Sequence, residues 1–316
     1  MKKLQTILAV GATAVLLTAC GDDTDETTEE NDGAETDENG EDGEDNVEAS
    51  DQEPAGGPIS ISHNNYAEGI VKAEFFRQVL EEIGYEPTTS LVEKAFLFSG
   101  LENEEIDLGI SAWLPHTDQQ FLSLDSDNID TYEDGVMYEG TEMGLVVPEY
   151  MEDLNTIEDL NDYVDELDGI ITGIDPGASL SDITQNEILD HYNLDDFTLQ
   201  TSSEQAMIAE LNSKYNNEEP IVVTLWSPHW TFGEYDMKYL EDPDLIYGEG
   251  DNMYYMTRPG LGDEDPGLIE FMNRVFFTDD QLSEMLVLYA ELDDEQAAAE
   301  QWIEDNRDLV DEWIEG

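Results

Sequence analysis

Pro220-Ile221-Val222-Val223-Thr224-Leu225-Trp226-Ser227-Pro228-His229-Trp230 is the stretch from which the rest of the chain can be organised. Ile221 to Leu225 is a short apolar run rich in β-branched residues, the pattern of a buried strand. Two tryptophans sit just past its end, around a proline that cannot continue the ladder. Side chains at the tip of a buried strand leave the core and project beyond it. In open α/β sheets the region outside the carboxyl ends of the strands is where ligands bind. Ile106-Asp107-Leu108-Gly109-Ile110 repeats the arrangement, ending in Ser111-Ala112-Trp113-Leu114-Pro115.

Outward from these two strands, short apolar runs alternate with helical patterns. Ile59 to Ser62 reads as a strand leading into a helix from Tyr66 to Ile83, with Ile70, Ala73, Phe76 and Leu80 at helical spacing and Gly84 as the stop. Gly144 to Val147 is a further strand, ended by Pro148. Asn155 with Glu158 has the spacing of a capping box, as does Thr278 with Gln281. Gly169 to Ile174 is a strand whose turn, Asp175 to Ser179, opens a helix through Leu189, and Glu204 to Leu211 is helical. From Leu268 onward the chain is helical, with Trp302 and Trp313 on an apolar stripe that reads as packing. This alternation predicts an α/β protein with its sheets covered on both faces. The block order divides it into a first lobe of 58–148 plus 256–316 and a second lobe of 149–255. A chain that crosses twice between lobes makes a hinge with a ligand cleft.

Before the folded body, Lys2 and Lys3 precede a mostly apolar run from Leu4 to Leu17, too short to span a bilayer and typical of a signal peptide over 1–19. Leu17-Thr18-Ala19-Cys20 resembles the lipobox of bacterial lipoproteins, which implies a lipid on Cys20 and a protein held at the extracellular face of the cell membrane. Residues 20–57 are dominated by Asp and Glu with no aromatic residue, so they read as a disordered, charge-extended tether.

Of the 79 acidic residues, 17 lie in 21–53, and 2 of the 10 basic residues lie in the signal. The body keeps 62 acidic against 8 basic residues, a formal charge of −54. Nucleic acid is excluded as a partner, since phosphate binding needs clustered Lys and Arg. Such charge is self-repulsive at low ionic strength and screened near molar salt, which points to a halophile. The four histidines, His63, His116, His191 and His229, show no metal-ligand spacing. There is no nucleophile elbow, no phosphate-cradling glycine loop and one cysteine in all. Neither an enzyme nor a cofactor is called for. A secreted enzyme acting on a small cation is the competing class, and turnover of the ligand would separate the two.

Tryptophans at two strand tips, one per lobe, can face each other and enclose a cation that has no N–H to donate, because a ring face attracts charge without hydrogen bonding. At this point Trp226-Ser-Pro-His-Trp230, with Ala112-Trp113-Leu114-Pro115, Gly144-Leu-Val-Val-Pro148, Ile157-Glu-Asp-Leu160 and Gly173-Ile-Asp-Pro-Gly177, resembles the glycine betaine-binding proteins of ABC importers. The resemblance covers 59–316. It implies the two-lobed type II periplasmic-binding-protein fold and a partnership with membrane permease and ATPase subunits. It further implies a small zwitterionic osmolyte as ligand for osmoprotection: glycine betaine, or a relative such as choline, carnitine or proline betaine. Trp113 is then one cage wall, and Trp230, with Trp226 as the alternative, is the wall from the second lobe. A third family tryptophan falls at Phe277, whose ring is a weaker cation–π partner, so that Tyr66 is a further candidate. For the carboxylate, His63 and Asn64 ahead of the first helix are candidates through their amides, and His116 and His229 through their side chains.

Overall fold

The computed structural model describes residues 54–122 and 129–316. The signal segment, Cys20 and the acidic stretch up to Glu53 lie outside them. β1 (Gly57–His63), α1 (Ala67–Glu82), β2 (Tyr85–Leu91), α2 (Lys94–Glu102) and β3 (Leu108–Leu114) build the first half of a sheet in which β1 lies parallel between β2 and β3. α1 forms where the helical period predicts and turns Val71, Phe75, Phe76, Val79 and Leu80 inward. β2 carries no apolar run. It is the edge strand, mostly exposed, where Pro87 is tolerated because a ladder donor is not needed.

β4 (Asp130–Pro148) explains how one chain makes two halves. Its first part, Asp130 to Thr141, pairs with β9 (Asp251–Thr257), whereas Glu142 to Val146 pairs with β7 (Val223–Ser227). Gly144 to Val147, legible as a strand, is therefore the end of a much longer one. The second half contains β5 (Ile170–Gly173), then α3 (Ser179–Ile183) running through a π-helical turn into α4 (Leu189–His191). β6 (Thr198–Thr201), α5 (Glu204–Asn216), β7, α6 (Thr231–Glu234) and β8 (Met237–Tyr239) follow, and β9 returns to the first half. The strand order is β2-β1-β3-β9-β4-β7-β5-β6, with β8 on β4. The two connections between halves lie side by side. Gly250, at φ +96°, sits so close that a Cβ there would meet the Thr141 carbonyl oxygen at 2.5 Å, which is why glycine is needed.

Two cap readings end differently. Thr278 forms a complete capping box with Gln281 at the start of the helix Asp279–Leu292. Asn155 does not cap with Glu158. The reciprocal bonds run one residue on: the Asp159 carboxylate accepts from the Thr156 amide at 2.9 Å, and the Asp159 amide donates to Thr156 Oγ1 at 3.2 Å. They open only a 3₁₀ turn. α7 (Leu261–Glu264), α8 (Pro266–Arg274), α9 (Asp279–Leu292), α10 (Glu295–Asp305) and α11 (Arg307–Glu315) complete the chain. Trp302 and Trp313 are buried, each T-shaped against Phe75.

The cations of the body are nearly all engaged. Arg77 is paired with Glu74 and Glu81, Arg258 with Asp107 and Glu264, and Arg307 with Glu82 and Asp311. With 62 acidic residues against 8 basic ones, most carboxylates of the body have no cation to pair with. The melting temperature of the body should rise from low salt to molar sodium chloride as their mutual repulsion is screened. A flat or falling temperature in a salt series followed by circular dichroism would contradict this account.

Candidate functional site

β3 does not run straight to its tryptophan. The register against β9 shifts between Ile110 and Ala112, and Ser111 sits at φ +77°. A bulge of this kind bends the strand and re-aims the side chains beyond it. The bulge and the turn after it are pinned by Asp118. Its Oδ2 accepts from the Trp113 amide at 2.9 Å, and its own amide donates to the Trp113 carbonyl at 2.9 Å. Asp118 is fully buried, with Lys94 Nζ at 2.7 Å from one oxygen. Ser179 Oγ, from the start of α3, donates to the other at 3.1 Å. One carboxylate thus ties β3 and α2 of the first half to α3 of the second.

On the other side β7 delivers Trp226, and the residues after it form a support. His229 packs edge-on against Trp226 with ring centres 5.0 Å apart, and Trp230 stacks behind His229 at 5.7 Å. The Thr231 amide donates to His229 Nδ1 at 3.2 Å, which leaves Nε2–H to donate to Glu204 Oε1 at 3.1 Å. Glu204 Oε2 in turn accepts from the Ala67 amide at 3.0 Å, at the first turn of α1. The histidine therefore holds the tryptophan, and the glutamate fastens that support to the opposite half.

Between these tips lies a pocket, about 430 Å³ of space free of protein atoms when the part open to solvent is counted. Three aromatic residues line it: Tyr66 at the N-cap of α1, Trp113 and Trp226. Tyr66 and Trp226 meet at 5.5 Å, with their planes 69° apart. The polar lining comes from Glu68, Lys94, Thr117, Asp118 and Ser179. Burial pushes the Tyr66 phenol far above its usual range and raises the Glu68 carboxyl. Ala178, Ser179 and Leu180 line the cavity at the start of the helical run 179–191. The first amides of any helix have no partner within it.

The other residues singled out in the sequence lie elsewhere. Trp230 is one ring behind the cavity wall, partly buried between His229 and Tyr235. Phe277 is fully buried among Phe75, Trp302 and Trp313, held by its amide bond to the Met137 carbonyl at 2.8 Å. The C-terminal helices fold over that ring, so it is a core residue with no face toward the cleft. His63 lines a separate cavity with Tyr289 and Glu295, and burial lowers its pKa. Asn64 spends its side-chain amide on the Val92 carbonyl. The His116 ring packs on Gly248, and its amide donates to Asp251 at 2.7 Å. His229 is buried behind Trp226. None of the four carboxylate candidates lines the cleft cavity. Glu68, Lys94, Asp118 and Ser179 do, and the sequence reading passed over them. Lys94 carried a signal, being one of 8 cations in a strongly acidic body. Among the described residues no group of His, Cys, Asp and Glu is arranged to hold a metal ion.

The family model for the substrate binding domain of ABC-type glycine betaine transport systems matches residues 57–305. The chain belongs to this family. Its members are transport binding proteins rather than enzymes, and such proteins work outside the cytoplasmic membrane. A relative, the glycine betaine/carnitine transport binding protein GbuC of Listeria monocytogenes, is 39% identical over 157 residues, 49% of this chain and 52% of that protein. The chain thus matches about half the length of that relative. Lactococcal OpuAC, solved closed and complexed with glycine betaine, is similar over 81% of this chain and 99% of its own, at 30% identity and a TM-score of 0.76. The glycine betaine, L-proline-binding protein ProX of Borrelia burgdorferi is similar over 81% and 96%, at 29% identity and a TM-score of 0.77. The fold is therefore of the periplasmic-binding-protein type. No helix among the described residues is long and apolar enough to cross a membrane.

Proposed function

We propose that this chain captures glycine betaine, or a related quaternary ammonium solute such as choline, carnitine or proline betaine, and delivers it to the permease and ATPase subunits of an ABC importer. The observation that carries the reading is the convergence of Tyr66, Trp113 and Trp226 on one cleft cavity. Three aromatic rings offer a methylated cation both dispersion contact and cation–π attraction in a largely buried site. Lys94, paired with Asp118, and the first residues of the 179–191 helix line the same cavity, and the positive end of that helix suits a carboxylate at the ligand's other end. Ligand held this way bridges both lobes, and Ser179–Asp118 and Glu204–Ala67 would add to closure.

The lobe division belongs to the same reading: 58–148 plus 256–316 against 149–255. The change of strand partner at Thr141/Glu142 and the return at Asp251 support crossings a few residues earlier. A thermal-shift screen of betaine-type solutes in molar salt tests the function, because a ligand that binds only the native state raises its melting point. No shift with any quaternary ammonium solute would refute it.

A lipid on Cys20 would keep the protein at the extracellular face of the cell membrane, near its permease. Cys20→Ser should release it from the membrane fraction while ligand binding by the body is unchanged. A processed variant that still sediments with membranes would place the anchor elsewhere.

A further inference from the structure

The pocket that His63 lines lies apart from the cleft and shares no lining residue with it. It opens between β1, β2, α1, α9 and the start of α10, with about 690 Å³ of space free of protein atoms when the part open to solvent is counted. Ile70 and Ala73 of α1 and Leu91 at the end of β2 give it an apolar side. Its polar side offers acceptors without donors. His63 Nδ1 lies 2.9 Å from the Asn64 carbonyl oxygen, which can only accept, so Nδ1 carries the ring's proton. Burial holds the ring's pKa below its usual value, so at pH 7 the ring is neutral and Nε2 is a bare acceptor. The residue is 8% exposed, and Nε2 has no partner among the described residues. Glu295, exposed at the start of α10, has no ion-pair partner among them either. Its charge acts on both the His63 ring and the Tyr289 phenol. Glu74, by contrast, is engaged by Arg77 and Gln78. A buried acceptor is rarely left without a donor, and one that borders an open pocket can take its donor from what enters.

We propose that this pocket is a second solute site, taking a small molecule with a guanidinium or primary ammonium group on a short alkyl chain. The N–H groups of the cation donate to His63 Nε2 and to the Glu295 carboxylate, and the alkyl chain lies along Ile70, Ala73 and Leu91. A guanidinium suits the pair of acceptors well, because its planar fork presents five donors and serves both at once. The selectivity is the reverse of the cage's. A fully methylated nitrogen has nothing to donate to His63, whereas the rings of the cleft offer a donor-bearing nitrogen no acceptor. N-methylation of the ligand therefore sorts solutes between the two sites, and the proposal stands independently of the cage.

The test is nuclear magnetic resonance of the histidine ring nitrogens, of which four histidines give a readily assigned set, in molar salt with excess glycine betaine. The probe is butylguanidinium. Butyltrimethylammonium controls for a cation without donors, and butylurea for donors without charge. Butylguanidinium should move the His63 Nε2 resonance to saturation, with a Kd about tenfold or more below that of either control, the size of effect expected from one buried hydrogen bond. Glu295→Gln, at an exposed position that leaves the fold intact, should weaken it about threefold. His63→Phe, followed by calorimetry, should lose butylguanidinium and keep the wild-type affinity for glycine betaine. No saturating shift of His63, an equal response to either control, or full butylguanidinium affinity in both variants would overturn the proposal. A wild type that binds glycine betaine without any His63 shift overturns this site alone. A saturating shift in a protein that fails to bind glycine betaine supports this site and overturns the cage.

Discussion

Trp226→Ala or Trp113→Ala should each weaken binding of a quaternary ammonium ligand by more than about 2 kcal/mol, or about thirtyfold, because cation–π attraction in a desolvated site is itself roughly that size. Each ring is also a wall of the cavity, 5% and 7% exposed, so its removal lets water into the cation's surroundings. Trp230→Ala is the informative control. Its ring touches His229 rather than the cavity, and it acts only by loosening the support behind Trp226. Its effect should be less than half as large. Calorimetry on the three variants checks this. An effect at Trp230 equal to that at Trp226 would move the wall to the other end of the motif.

Phe277→Ala should have its large effect on stability and none on ligand choice. Deleting a fully buried phenylalanine typically costs about 3–5 kcal/mol through lost burial and the cavity left behind. In a body of this size that lowers the melting temperature by on the order of 10 °C. The neighbours Phe75, Trp302 and Trp313 come from three helices and leave little room to collapse. Phe277→Trp should also destabilise, by about 1–3 kcal/mol, since an indole overpacks the same space. A stable Phe277→Trp protein with higher affinity would show that the ring reaches the ligand after all.

The contrast between these positions says what a single sequence can carry. That a tryptophan stands at each of two strand tips was legible, because a buried strand ended just before it and a strand tip has one place to go, although the reading favoured Trp230 over Trp226 for the second tip. The choice between Trp226 and Trp230 was not legible. It depends on His229 being drawn back by Glu204 and Thr231, residues remote from the strand pattern or silent in it. Resemblance to the family brings Phe277 forward, but its burial is decided by how α9 to α11 fold over α1, a tertiary event that local spacing does not encode. The half of β4 from Asp130 to Glu142 was missed for a related reason. Its Asp, Glu, Thr and Gly residues give no apolar run, and its pairing with β9 joins residues more than a hundred positions apart. Glu68 and Lys94 were hidden in helix-forming surroundings where charged residues are ordinarily solvated. Only the folded arrangement shows them lining the cavity, Glu68 buried and Lys94 partly so.

The central claim is that the cleft recognises a fully methylated nitrogen, and the most direct measurement is calorimetry of glycine betaine, dimethylglycine, sarcosine and glycine on the wild-type body in molar salt. Removing methyls adds N–H groups that the proposed cage of three aromatic rings cannot accept from, and each donor left unpaired costs about 1–3 kcal/mol. The account predicts that affinity falls steeply at the first methyl removed and that glycine does not bind. Comparable affinity for glycine and glycine betaine would contradict it.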